Sequence, residues 1–176
     1  NHLLEINNLA TSFGQGDAEV KAVRGATFHI DKGETVALVG ESGSGKSVTA
    51  LSAMRLLPYP LAHHPSGGIR FKEDELLSAS DGRMRVLRGN DLAMIFQEPL
   101  TSLNPLHSIE KQIAETLLLH KAITPTKARE RVIGLLKLVG LEAALERLSA
   151  LPHEFSGGQQ QRVMIAMALA NDPDLL

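Results

Sequence analysis

The chain has 176 residues, of which 43% are hydrophobic, 18 are basic and 20 are acidic, giving a formal net charge of −2. This length suits a globular unit with a buried core, and the balanced charge gives no electrostatic reason to expect nucleic acid as the main partner. The lack of cysteine excludes disulfides and thiolate metal sites, and no apolar run of about 18 residues predicts direct membrane insertion.

The first part of the chain reads as β-rich. Short apolar runs bounded by Gly, Asn or Asp predict strands over Leu3–Ile6, Ala26–Ile30, Thr35–Val39, Gly68–Phe71 and Leu92–Phe96. A helix is expected from Lys46 to Leu57, where Pro58 and Pro60 end it. We place a β-rich core at residues 1–98, which includes the glycine-rich loop described below.

Beyond Pro99 the pattern becomes helical. Apolar residues recur at helical spacing in two stripes, one of Ile109, Ile113 and Leu117 and one of Ala128, Val132, Leu135, Leu136 and Val139, the latter closed by Gly140. Thr124 before Pro125 predicts a helix start. The helical part is assigned to residues 99–157, and residues 158–176 to a helix returning to the core and a strand beginning near Asp174.

A glycine-rich loop separates the third predicted strand from the first predicted helix. Residues 40–47 read Gly-Glu-Ser-Gly-Ser-Gly-Lys-Ser and fit the P-loop pattern. Glycines let backbone N–H groups curl around an anion, Lys46 supplies a charge for the β- and γ-phosphates, and Ser47 offers a hydroxyl to Mg²⁺. The candidate nucleotide-binding residues are Gly40, Ser42, Gly43, Ser44, Gly45, Lys46, Ser47 and Val48.

A glutamine follows the fifth predicted strand. Gln97 stands at the carboxyl end of Leu92–Phe96, the end at which ligands bind in open α/β sheets. Its amide oxygen can hold Mg²⁺ or a water molecule. Taken alone, a glutamine at such a position is more often an ordinary polar loop residue.

A second glycine motif opens the last predicted helix. Ser156, Gly157, Gly158 and Gln159 offer a hydroxyl, unhindered backbone amides and the positive end of a helix dipole, but no lysine. One nucleotide does not need two cradles in one chain, which suggests that this motif serves a nucleotide held by another copy or a partner. The alternative is that Ser156 only caps the helix.

Together these motifs resemble the nucleotide-binding subunits of ABC transporters, and the resemblance covers essentially the whole chain. Residues 40–47 resemble the Walker A motif, Gln97 the Q-loop glutamine, and Phe155–Gln159 the signature motif, with Phe where Leu is commonest. Phe13 falls where the family has an aromatic residue that stacks on adenine. The resemblance implies an α/β fold, a P-loop NTPase core with an antiparallel β subdomain and an inserted helical subdomain, with ATP and Mg²⁺ as cofactors.

Three segments narrow the resemblance to the oligopeptide, dipeptide and nickel importer branch, including microcin-type peptide importers. They are residues 97–105, 152–158 and 161–168. The branch implies an ATP-hydrolysing subunit that works as a head-to-tail dimer with a second nucleotide-binding domain. It also implies docking, after Gln97, to membrane permease subunits at the cytoplasmic face of the cell membrane.

The family pattern continues past the residues of this chain. In the family, the strand starting near Asp174 ends in the Walker B aspartate and the catalytic glutamate, and a switch histidine follows. We therefore expect a fragment that ends before Walker B, without the C-terminal part of the core. It should bind nucleotide at best, because the group that orients the attacking water is not among its residues.

Two other functions remain open on the sequence. A soluble ABC ATPase of translation or DNA repair would use the same motifs without a permease, although the importer-like segment after Gln97 argues against it. A non-ABC P-loop kinase or GTPase is disfavoured, because neither needs the cradle at residues 156–159 and no Asn-Lys-x-Asp segment occurs.

Two further pairs of residues are expected to be structural. His63 and His64 lie in a loop rich in proline and glycine, without nearby thiols or carboxylates in sequence, and are expected to be loop residues rather than metal ligands. Met164 and Met167 lie on an apolar helix face and are expected in the core.

Overall fold

The computed structural model describes residues 2–176, which form two compact units with the division between Arg85 and Val86. The predicted boundary after residue 98 stays a prediction. Within the described residues, no helix combines the length and apolar character needed to cross a membrane.

The first unit is built on an antiparallel sheet of five strands. They are β1 (Leu4–Phe13), β2 (Val20–Ile30), β3 (Ala62–His63), β4 (Gly68–Phe71) and β5 (Asp74–Glu75). The order is β2-β1-β4-β5, and β3 pairs with the end of β1. The predicted strand at Gly68–Phe71 is confirmed, whereas the first two predicted strands are much longer than expected, because register shifts let β1 and β2 continue past Asn8 and Gly25.

One face of this sheet is the core of the first unit. Leu4, Ile6 and, after a register shift, Leu9 of β1 are buried there, and β4 adds Ile69 and Phe71, which are fully buried. Helix α1 (Lys46–Met54) is joined to β1 by a buried hydroxyl contact of 3.2 Å between Thr11 Oγ1 and Ser52 Oγ. The helix ends three residues before the predicted Leu57, because Arg55 is left-handed (φ 49°). Helix α2 spans Asp81–Leu87.

The predicted strand at Thr35–Val39 is wrong. No described residue pairs with this segment, which has no regular secondary structure, and Val39 is 92% exposed. The β-branched composition favours a strand, but a strand forms only where neighbouring strands take up its backbone N–H and C=O groups.

The second unit is helical. Its α-helices are α3 (Pro99–Ser102), α4 (Ile109–His120), α5 (Pro125–Leu138) and α6 (Gly157–Leu169), and short 3-10 helices span Glu142–Arg147 and Pro152–Glu154. Both predicted apolar stripes are confirmed: Ile109, Ile113 and Leu117 of α4 are buried, as are Ala128, Val132, Leu135 and Leu136 of α5. The predicted N-cap is confirmed too, since Thr124 Oγ1 accepts a hydrogen bond from the Lys127 amide at 3.3 Å.

The predicted strand at Leu92–Phe96 is wrong beyond its first residue. Leu92 makes an isolated parallel bridge with Leu175, and the Ala93 amide donates to the Leu175 carbonyl at 2.9 Å. Residues 93–96 have no regular structure in the described chain. One bridge is too little pairing to hold a five-residue strand.

Candidate functional site

The glycine loop ends in a helix that has no side-chain cap. Gly45, the N-cap of α1, is left-handed (φ 93°) and makes no capping hydrogen bond from a side chain. A Cβ atom at Gly45 would lie 2.6 Å from the Ala22 carbonyl oxygen, so only glycine fits. The first amides of α1 therefore depend on water or a ligand, and this end of a helix suits an anion.

Lys46 folds back over the loop that precedes it. Its Nζ atom donates hydrogen bonds to the carbonyl oxygens of Gly40 and Glu41, each at 2.7 Å, and to Ser44 Oγ at 3.2 Å. These acceptors are uncharged dipoles, and an ammonium group makes stronger hydrogen bonds to ionised acceptors. A phosphate at the loop would thus compete well for Lys46.

A groove of about 630 Å³ lies beside the loop. It is lined on one side by residues 43–46 and on the other by residues 21–28 of β2. Its charged side chains among the described residues are Lys21, Arg24 and Lys46, all basic, which favours an anionic ligand. Sequence reasoning missed Lys21 and Arg24, since no motif marks them and only the pairing of β2 brings them beside the loop.

The other predicted residues of the first unit flank this loop. Ser42 and Ser47 are exposed, and Val48 is half-buried in the first turn of α1. Phe13 is half-buried at the end of β1, opposite Val20, and is not among the described residues that line the groove. The adenine-stacking role of Phe13 stays a prediction.

The second glycine motif begins with a complete capping box. Ser156 Oγ accepts from the Gln159 amide at 3.2 Å, and Gln159 Oε1 accepts from the Ser156 amide at 3.0 Å. Ser156 thus caps α6, as the structural alternative predicted. Gly157 and Gly158 are exposed and have helical backbones, and a Cβ atom at either would meet nothing within 4 Å.

A buried amide anchors the turn before α6. Gln160 is 5% exposed, and its Nε2 atom donates to the carbonyl oxygens of Pro152 at 2.8 Å and Phe155 at 3.0 Å. Phe155, also 5% exposed, packs in the core with its ring 5.0 Å from the Arg147 guanidinium carbon. The turn is therefore held from inside, leaving Ser156 and the two glycines at the surface.

Gln97 belongs to the second unit and is exposed. It follows the irregular segment 93–96 and precedes α3, so its backbone is not part of a helix or strand. The structure therefore shows an accessible amide at this position. Its binding of Mg²⁺ or water stays a prediction.

The prediction that His63 is a loop residue is wrong, because it is the second residue of β3 and pairs with Ser12 of β1. His64 and the two methionines have packing roles. His64 Nε2 lies 2.7 Å from the Tyr59 hydroxyl, and His64 Nδ1 lies 3.1 Å from Thr11 Oγ1 and 3.3 Å from the Ala10 carbonyl oxygen. Burial holds the pKa of His64 below its ordinary value. Met164 is buried and Met167 packs against the same core, as predicted.

A glycine loop that opens an uncapped helix, with a lysine at its first position, is the arrangement of a P-loop. The first unit therefore has the features of the P-loop class of phosphate-binding proteins. A family model described as ABC transporter matches residues 23–176, and the chain belongs to this family. Membership excludes the non-ABC kinase and GTPase alternatives.

Curated relatives include ATP-binding proteins of peptide transporters. The chain is 58% identical over 99% of its length to the peptidoglycan transport ATP-binding protein YejF of Agrobacterium fabrum, of which it covers 32%. It is 50% identical, again over 99% of its length, to the oligopeptide transport ATP-binding protein OppD of Bacillus subtilis, of which it covers 49%. The chain thus spans about a third of the length of the first relative and about half of the length of the second.

Solved structures confirm the fold. The ATP-binding cassette MJ0796, in a dimeric post-hydrolysis state bound to ADP and Pi, aligns with a TM-score of 0.83 and 27% identity. The alignment covers 97% of this chain and 70% of that one. The predicted fold class, α/β with an antiparallel sheet and helices, is confirmed.

Proposed function

We propose that this chain is the ATP-binding part of an energy-coupling subunit of a peptide importer. The observation that carries the proposal is the P-loop of the first unit, where an uncapped helix, a folded-back Lys46 and a basic groove converge. The relatives named for oligopeptide and peptidoglycan transport supply the class of solute. The full-length protein is proposed to hydrolyse ATP.

In this proposal the residues of the first unit bind the phosphates. Lys46 exchanges its two carbonyl partners for β- and γ-phosphate oxygens, and the backbone amides from Gly43 to Val48 surround them. Lys21 and Arg24 add positive potential along the groove. Phe13 is proposed to stack on the adenine.

The residues available for Mg²⁺ fit a hard cation. Ser47 offers an exposed hydroxyl oxygen at the start of α1, and Gln97 an exposed amide oxygen, both oxygen ligands of the kind that Mg²⁺ prefers. When bound, Mg²⁺ would neutralise charge on the phosphate oxygens. Ser47 and Gln97 are proposed to hold it.

The signature motif is proposed to bind the nucleotide of a second nucleotide-binding domain in a head-to-tail dimer. Support comes from Gly157 and Gly158, which have no steric reason within the described chain to be glycine. A glycine without an internal reason allows close approach by something outside the chain. Ser156 and Gln159 fix the direction of these amides through the capping box.

The helical part, residues 99–157, is proposed to dock on permease subunits, which would place the protein at the cytoplasmic face of the membrane. The stretch after Gln97 presents α3 and then Leu106, which is 83% exposed. Gln112 holds this stretch in place, because its Nε2 atom donates to the carbonyl oxygens of Asn104 and His107 at 2.9 and 2.8 Å. A fixed, partly apolar surface suits a protein partner.

The test is a calorimetric titration of Mg-ATP into the 176-residue chain and its Lys46→Ala variant, with phosphate release followed in the same samples. We expect wild-type binding, a loss of affinity of roughly 10- to 100-fold in Lys46→Ala because a charge-assisted hydrogen bond is removed, and no steady phosphate release by this chain alone.

Lys32→Ala is the matched control, since Lys32 is an exposed lysine of the same unit and does not line the groove. It should bind Mg-ATP like the wild type. Equal affinity of the wild type and Lys46→Ala would overturn the P-loop assignment. Steady phosphate release that depends on Lys46 would overturn the proposed inactivity of this chain.

A further inference from the structure

Two histidines and an aspartate meet at one end of the antiparallel sheet of the first unit. His29 lies near the end of β2, Asp31 directly follows that strand, and His2 precedes β1. The pairing of Leu4 with Ile30 and the 2.8 Å hydrogen bond from the Leu3 amide to the Ile30 carbonyl bring the two chain segments together. The sequence alone gives no hint of this, since 27 positions separate the histidines.

The three side chains offer donor atoms to a common point. Each residue contributes one donor atom, and these three atoms all lie within 4.8 Å of one another. His2 Nδ1 is 2.6 Å from Asp31 Oδ1, and His29 Nε2 is 3.9 Å from Asp31 Oδ2. Zinc bonds of about 2.0–2.2 Å place tetrahedral donors roughly 3.4 Å apart, between these two values. Small rotations of exposed side chains would reach that spacing.

Asp31 is held in position by the turn that follows it. The Asp31 amide donates to Glu34 Oε2 at 2.8 Å, and the Glu34 amide donates to the Asp31 carbonyl oxygen at 3.1 Å. The two imidazole rings also stack, with centroids 3.7 Å apart. The three side chains therefore already lie together without a ligand, so only small rotations are needed for binding, which lowers its entropy cost.

The charges around the cluster support a cation. Asp31 is an exposed aspartate and brings a negative charge to the cluster at neutral pH. Glu5, the residue opposite His29 across the β1–β2 pair, is bound to Arg70 in an ion pair of 2.5 Å. Because Arg70 occupies Glu5, the ligand set is two imidazoles and one carboxylate, and the remaining positions are left to water.

We propose that His2, His29 and Asp31 form a surface site for a divalent transition-metal cation such as Zn²⁺. Two neutral imidazoles and a carboxylate suit Zn²⁺ and its neighbours in the first transition row, whereas Mg²⁺ prefers oxygen ligands alone. The site is independent of the proposed nucleotide site, because it uses none of that site's residues.

The test is a calorimetric titration of Zn²⁺ into the tag-free 176-residue chain at pH 7.5 without nucleotide, with Co²⁺ absorption as a second readout. We expect one saturable site. His29→Ala and Asp31→Asn should each weaken it by at least about tenfold, and the visible bands of bound Co²⁺ should be lost with it. All three residues are exposed, so far-UV circular dichroism should not change.

His63→Ala is the matched control, because His63 Nε2 lies 3.6 Å from Glu19 Oε1 and forms a histidine–carboxylate pair of the same kind in the same unit. Its zinc affinity should equal that of the wild type. Lack of saturable zinc binding would overturn the proposal. Unchanged zinc affinity in His29→Ala would also overturn it, because His2 or another group would then bind the metal without His29.

Discussion

The two glycine-rich loops of this chain each open a helix, but they are built differently. Helix α1 begins at Gly45 without a side-chain cap, and Lys46 covers the carbonyls of its own loop. Helix α6 begins at Ser156, whose capping box with Gln159 is complete, and Gln160 anchors the turn from inside. The first loop leaves backbone N–H groups of α1 without a side-chain acceptor, so they are available to a ligand. In the second loop the capping box supplies such an acceptor, and the two glycines are exposed.

This difference separates two reasons for glycine. Gly45 is required by its own chain, since its φ is 93° and a Cβ atom would clash with Ala22. Gly157 and Gly158 are not required by the described chain. A loop whose backbone conformation requires glycine is therefore distinguished from a loop whose glycines have no steric reason within the described chain, although both are glycine-rich in sequence.

The largest expected effect comes from replacing a glycine that the backbone requires and comparing it with a glycine that the backbone does not require. Gly45→Ala should lower the free energy of unfolding by at least about 2 kcal/mol, because left-handed backbone costs roughly 1–2 kcal/mol and the clash adds to it. Gly158→Ala, at a helical position, should raise it by about 0.5 kcal/mol. Urea unfolding of both variants measures these two changes in the free energy of unfolding. Equal changes in the two variants would contradict the distinction between the two kinds of glycine.

The next effect concerns the internal anchor of the second loop. Gln160→Ala leaves the carbonyls of Pro152 and Phe155 without their donor and should cost about 1–2 kcal/mol. Gln161→Ala, at an exposed neighbouring position, should stay within about 0.5 kcal/mol of the wild type. The same unfolding measurement checks both, and a large loss in Gln161→Ala would mean that helix propensity, not the anchor, dominates.

The cap itself should contribute less. Ser156→Ala removes the acceptor for the Gln159 amide and should cost about 1 kcal/mol. Ser156→Asp keeps an N-cap acceptor, so its thermal unfolding should match the wild type. If the motif also meets a partner's phosphates, Ser156→Asp should still impair ATP-dependent dimerisation of the full-length protein, which separates capping from recognition. Normal dimerisation of Ser156→Asp would argue for capping alone.

The smallest expected effect is a pH dependence of the free energy of unfolding that arises where α1 contacts β1. Thr11 bonds both Ser52 of α1 and His64, whose pKa is lowered chiefly by burial. His64 binds a proton more readily in the unfolded state than in the folded state. Its contribution to the free energy of unfolding is therefore fully present above about pH 6.5 and is lost as the pH falls through the lower pKa of the folded state. The melting temperature should be a few degrees lower at pH 5.5 than at pH 7.5. The difference between the two pH values should be smaller in His64→Gln.

Sequence patterns predicted what depends on local chemistry. Helix caps such as Thr124, the apolar stripes of α4 and α5, and the helix after Ser156 are confirmed, since each is set by residues within a few turns. The strands at Thr35–Val39 and Leu92–Phe96 failed, because a strand depends on partners far away in sequence.

The candidate site divides in the same way. The P-loop is readable because Gly45, Lys46 and Ser47 are adjacent, and the structure adds which backbone atoms Lys46 contacts. Lys21 and Arg24 could not be predicted, because only the register of β2 brings them to the groove. Gln97 and Phe13 keep the roles that the family resemblance implies as predictions.

The solvent-facing segment from Thr35 to Val39 has a consequence for self-association of the protein. An exposed, β-branched and uncharged stretch is a site for self-association between chains. Acidic residues bracket it, with Glu34 immediately before and Glu41 shortly after. These charges act as gatekeepers, because stacking copies of the segment would bring like charges together. We therefore expect Glu34 and Glu41 to oppose self-association through this exposed segment.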